Sequence, residues 1–184
     1  RATVWAGLFA GVNLMFADFP AGSVLAAEQA RYPYRDCRAY PFPADFARLG
    51  PICAEHLILG FFAAIPGWAA GLMRLRDWLA APLGLKTAQS GHHAPPFACG
   101  QTVGVFTVRW LADNQVLLGQ DDRHLDFRLL LWVDGGRLHH ITGVRPHGGL
   151  GWLYLLAVLP FHTLIVRASV RRMARGLLAQ GRQA

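Results

Sequence analysis

The ten residues from Gly119 to Arg128 (Gly-Gln-Asp-Asp-Arg-His-Leu-Asp-Phe-Arg) hold five charged side chains and a histidine, and they run straight into the apolar stretch Leu129 to Val133. On a strand from Leu125 to Val133, alternation puts His124, Asp126 and Arg128 on one face and Leu125, Phe127 and Leu129 on the other. Side chains two apart on a strand stand about 7 Å from each other. Asp126 and Arg128 can therefore flank one polar ligand group or find partners on the next strand. Arg128 can grip a carboxylate or phosphate through two parallel hydrogen bonds, and His124 can move a proton near neutral pH. The competing expectation is an ion-pair network that fixes the register of a hairpin. Asp121 and Asp122 read as turn residues.

Other residues could line a ligand cavity: Trp68, Arg76, Thr142, His147, Tyr154 and His162. His162 follows Pro160 in the last apolar segment and His147 sits at the turn before it; for either one, a buried ring bonded to a backbone carbonyl is the plainer reading. Eight histidines invite a metal site. However, His92-His93 and His139-His140 are neighbours, and neighbours on a strand point to opposite faces. Neither HExxH nor a Cys/His knuckle is present, so no metal is expected. The chain also lacks GxSxG, a Walker loop and GxGxxG, which leaves hydrolase, nucleotide and dinucleotide readings without support and implies no cofactor. Cys37, Cys53 and Cys99 are odd in number and widely spaced, so they are expected to be free core thiols.

Several elements must position these groups. Tyr34 to Tyr40, bounded by Pro33 and Pro41, reads as a strand at a sheet edge, where proline is tolerated. A partly helical stretch runs from Asp45 to Gly60, with Pro51 starting a helix. Trp68, Leu72, Leu75 and Leu79 form a stripe on a helix over 66–81. Val103 to Leu111, Gln115 to Gln120, Leu125 to Val133 and Leu138 to Arg145 read as four strands joined by short turns, hence an antiparallel meander. Since Leu129 to Val133 is apolar on both faces, each face must be covered. After Gly148-Gly149 the chain is helical to its end, interrupted by Pro160, with Val166, Val170, Met173 and Leu177 on one stripe and Arg167, Arg171 and Arg175 opposite.

The signature decapeptide resembles that of a bacterial family catalogued as domain of unknown function 2867. The likeness extends over roughly 32–178 through Pro66-Gly67-Trp68, Gly84-Leu85-Lys86, Thr142-Gly143-Val144, His147, Gly151-Trp152-Leu153-Tyr154 and Pro160-Phe161-His162. Gly148-Gly149 departs from the family's habit of a polar residue after the position of His147. The element order is similar to the helix-grip fold of the steroidogenic lipid-transfer domain and the birch-pollen allergen. That likeness implies an α+β domain, an antiparallel β-sheet wrapped around a long C-terminal helix, with helices inserted after the first strand and an apolar cavity between sheet and helix.

At 184 residues and 53% hydrophobic content, one domain over 30–180 is expected. Residues 1–29 read as an apolar extension or targeting segment. A net charge of +7 gathers near the C-terminus without a polybasic tail, so nucleic acid is not the expected partner. The function expected is binding of a small hydrophobic or amphipathic molecule. Two alternatives stand beside it: peripheral membrane contact through Arg167, Arg171 and Arg175, and a cyclase or isomerase in the same fold with an acid or base in the cavity. A cytoplasmic location is expected, with export or membrane association as the other possibilities.

Overall fold

A computed structural model describes residues 17–42, 52–69, 71 and 94–181. Six strands form one antiparallel sheet: β1 (Tyr34–Pro41), β2 (Thr102–Val103), β3 (Phe106–Ala112), β4 (Gln115–Asp121), β5 (Leu125–Asp134) and β6 (Arg137–Pro146). The order across it is β1-β6-β5-β4-β3-β2, so β2 to β6 make the expected meander and β1 returns to pair with β6. Pro41 ends β1 at the sheet edge, where its missing N–H breaks no ladder. The β5-β6 turn places Gly135 and Gly136 at φ +53 and +71, the left-handed pair that a two-residue hairpin needs.

The third strand is shorter than the sequence suggests. Thr102 to Ala112 is divided at Gly104, which sits at φ +62 with the ring of Phe62 2.8 Å from where a Cβ would stand. The left-handed backbone turns the chain there, and the phenyl ring occupies the space this opens.

Among the described residues two α-helices pack on one face of the sheet: α1 (Ala54–Ala64) and α2 (Gly148–Gly181). α1 begins at Ala54 rather than at Pro51, because Cys53 caps it: the Cys53 N–H donates to His56 Nδ1 at 3.3 Å, and the thiol lies 3.2 Å from the same ring. The helix expected over 66–81 lies mostly outside the described residues. α2 runs unbroken through Pro160. Proline removes one internal hydrogen bond, and here the residue lies on the exposed side of the helix. The long helix lies along the sheet in a helix-grip-like α+β arrangement.

Strand alternation decides what each face buries. Towards the helices, Val108, Val116, Leu118, Leu129, Leu131 and Leu138 meet Leu57, Ile58, Val166, Val170, Met173 and Leu177. This is the stripe that the helical spacing of α2 predicts. Away from the helices, Leu130, Trp132 and Ile141 pack under Phe19, Leu25 and Tyr32 of the segment that precedes β1. Both faces of β5 are thus covered. Gly22 and Gly143 allow the close approach: a Cβ on Gly22 would stand 2.9 Å from Trp132, and one on Gly143 3.0 Å from Tyr32. Of the three thiols, Cys37 packs in this second layer, whereas Cys53 is a helix cap and Cys99 is exposed beside the turn at Gly100. The expectation of three core thiols holds for Cys37 alone.

Candidate functional site

The charged signature lies on the face turned away from the helices. Gly119 on β4 stands opposite Arg128 on β5. A Cβ at Gly119 would lie 3.0 Å from the Arg128 side chain, so the missing side chain lets the arginine lie flat across the strand. Its guanidinium there meets Asp121, which Arg109 of β3 also grips at 2.7 Å. Burial pushes the Asp121 carboxyl up, but the Arg128 and Arg109 guanidiniums outweigh it and hold the group below the ordinary carboxylate value. Asp121 is therefore the hub of a three-strand ion-pair network, a role that reading it as a turn residue missed. Asp126 pairs elsewhere, with His147 Nε2 at 3.1 Å and more distantly with Arg145 at 3.9 Å.

This network reaches α2. The His147 backbone N–H donates to the His124 carbonyl at 2.7 Å, and His147 Nδ1 lies 3.3 Å from the Arg123 carbonyl while Nε2 faces Asp126, so both ring nitrogens face oxygen acceptors. Gly151 in the first turn of α2 sits so close that a Cβ would overlap the His124 carbonyl oxygen. The signature thus fastens the β4-β5 turn to the start of the long helix, while Tyr32 covers it from outside. His124, Asp126, Arg128 and His147 come together, but at this clamp and not between sheet and helix.

A second polar group, only part of which the sequence suggested, lies inside the grip. Asp36 and Arg38 on β1 face the helices, with Thr142 and His140 as their respective partners on β6. His162 of α2 comes down over them, its ring 6.5 Å from Tyr34 and 6.4 Å from Phe127. Arg38 Nε donates to Asp36 Oδ2 at 3.0 Å. Asp36, His140 and Thr142 are buried, and aromatic rings surround them: Phe61 stands 6.4 Å from His140, and Phe106 lies 6.1 Å from Phe61 and 5.7 Å from Phe127.

Four polar atoms here have no hydrogen-bond partner among the described residues: Asp36 Oδ1, His140 Nδ1, Thr142 Oγ1 and His162 Nε2. Such atoms are rare in folded interiors because each one left unpaired costs about 1–3 kcal/mol. Burial pushes His140 down to about 3, with a further lowering from His162. Burial likewise brings His162 down to about 4, against the opposing pull of Asp36. Both rings are neutral near pH 7. Burial raises Tyr34 to about 12, aided by Asp36.

Of the sequence-based candidates, then, Thr142 and His162 belong to the buried group. Trp68 is exposed on the outside of the helical layer, Tyr154 is half-buried on the first turns of α2, and Arg76 lies outside the described residues. His139 turns to the opposite face and stacks on Trp132 at 4.8 Å, as strand alternation requires. Asp36, Arg38 and His140 were missed. Their signal was present in Tyr34-Asp36-Arg38-Tyr40, where polar residues occupy alternate positions of a strand that has to bury one face. Among the described residues no group of three His, Cys, Asp or Glu is placed to hold a metal ion.

Residues 29–169 match the family described as Protein of unknown function (DUF2867), and the chain belongs to that family. No curated protein and no solved structure matches it.

Proposed function

We propose that the protein binds one small amphipathic molecule between the sheet and α2, with the polar end of the ligand at Asp36, His140, Thr142 and His162. The observation that carries this reading is the set of four unpartnered polar atoms contributed by three different elements to one buried place. A fold that gained nothing there would be more stable with apolar side chains, and buried polar atoms left unpaired call for a partner. Asp36 Oδ1 can only accept a hydrogen bond, so the ligand's polar end carries at least one donor, such as a hydroxyl. Its apolar part would lie among Tyr34, Phe61, Phe106 and Phe127, where the phenylalanine rings pack on one another and would part to admit it.

Entry follows from α2. Pro160 deprives the helix of one hydrogen bond two residues before His162, which gives α2 a place to bend at mid-length. The signature clamp holds the start of α2 during that movement.

Titration of the purified chain with the neutral apolar dye nile red tests the reading, together with native mass spectrometry of protein freshly isolated from cells. One saturable dye site with unchanged circular dichroism supports it, as does a co-purifying small molecule that nile red displaces. Weak binding that does not saturate, with no bound species in the mass spectrum, would sink it.

A further inference from the structure

The outer side of α2 changes character along its length. Leu150, Leu153, Phe161 and Leu164 recur at three- and four-residue steps or their sums, hence on one side of the helix, and they are 44%, 66%, 38% and 56% exposed. Beyond Leu164 the same side carries Arg167, Arg171 and Arg175, with Arg172 beside them, all exposed. None of the four meets a carboxylate among the described residues, and α2 contains no Asp or Glu in its 34 residues. Trp68 stands where the two halves meet: with Leu164, Arg167, Ala168 and Arg171 it lines an open groove of about 620 Å³. The most apolar 18-residue stretch of the helix is long and apolar enough to cross a membrane, and only 22% of it is buried.

We propose that this surface docks on an anionic lipid bilayer, with α2 lying in the membrane plane. The pieces correspond to the layers of such a surface. Leucine and phenylalanine side chains enter the acyl boundary, an indole sits at the interface where tryptophan gathers, and guanidiniums reach the lipid phosphates. From Leu150 to Arg175 the side is roughly 38 Å long at 1.5 Å per residue, so it can lie flat across many headgroups. Charge argues against the other occupants. A second copy would bring a like-charged arginine side and a net +7 chain against the first. A membrane-crossing helix would have to abandon the sheet and α1, where Leu155, Leu159, Val166, Val170, Met173 and Leu177 are buried. This surface is separate from the buried polar group, so either proposal can fail without the other.

Co-sedimentation of the full chain with vesicles tests it, comparing phosphatidylcholine alone with phosphatidylcholine containing phosphatidylglycerol. Binding to the anionic vesicles at least tenfold above the neutral ones is expected, falling as salt is raised. The Arg167→Glu, Arg171→Glu double variant should drop to the neutral-vesicle level, and Leu153→Ser with Leu164→Ser should weaken binding to both kinds. Melting temperatures should stay near that of the parent, because all four positions are exposed. Should the charge reversal unfold the chain, Arg167→Gln with Arg171→Gln provides the same comparison. Three results would each overturn the proposal: equal binding to both vesicles with no effect of the variants; resistance to alkaline carbonate extraction, which marks a spanning helix; or dimers in light scattering that the leucine variants abolish, which would assign the surface to a second copy.

Discussion

Gly151 and Gly119 show why a charged decapeptide can look like a catalytic motif and serve as a fastening. Each makes room for one specific neighbour, the His124 carbonyl and the Arg128 guanidinium respectively. Gly151→Ala would force the first turn of α2 away from His124, and overpacking of this kind costs about 1–3 kcal/mol. A lowered urea midpoint is the expected outcome, whereas an unchanged one would show that α2 does not depend on this contact. At this scale the sequence was half legible. The strand face shared by Asp126 and Arg128 followed from alternation, and the ion-pair expectation described what they do. Which carboxylate pairs with which arginine did not follow, because Asp121 is positioned by cross-strand register, a property of two segments at once. Asp36, Arg38 and His140 were passed over for the same reason: each is ordinary in its own segment, and only the pairing of β1 with β6 brings them under His162.

Among the elements, the meander was legible because its turns are short and its strands alternate, and the stripe on α2 because four residues recur at helical spacing. Boundaries failed where one residue overrode its surroundings. Gly104 split a strand whose flanks are both β-prone, and Pro160 did not end the helix on whose exposed side it lies. The segment before β1 was the least legible: residues 1–29 read as an apolar extension or a targeting segment, and only 17–29 of them are described. Its buried residues support a structural role as a lid on the second face of the sheet. Leu25 is almost fully buried against this face, so Leu25→Ala should cost about 3 kcal/mol and lower the melting temperature by about 6–12 °C. Val24→Ala, at a partly exposed neighbour, should stay within about 0.5 kcal/mol of the parent. Equal melting temperatures for both variants would detach the segment from the fold.

For the whole molecule, the buried His140 and the half-buried His162 set an acid limit. His140 and His162 have folded values of about 3 and about 4, below the ordinary 6.5. The unfolded chain therefore takes up protons on these rings as pH falls below about 6.5, while the folded chain does not, and the unfolded state gains. Stability should be level above about pH 7 and should decline as pH drops from 6.5 towards 4. His162→Phe should shallow that decline. A melting temperature that is flat from pH 7 to 4 would mean that the rings are hydrated or paired, contrary to the account. In physical terms the same burial keeps the two rings neutral, as the proposed site requires, and makes them a liability in acid.

The most direct test of the proposed site is the nile red dissociation constant of Thr142→Val, measured beside its melting temperature. Thr142 is fully buried and its hydroxyl has no partner among the described residues, and valine keeps its shape while removing the oxygen. If the hydroxyl is kept for a ligand, the empty protein should gain about 1 kcal/mol of stability, and a co-purifying molecule should be held several-fold more weakly, so that nile red displaces it at a lower apparent dissociation constant than in the parent. A less stable variant from which nile red displaces that molecule no more readily than from the parent would contradict the account.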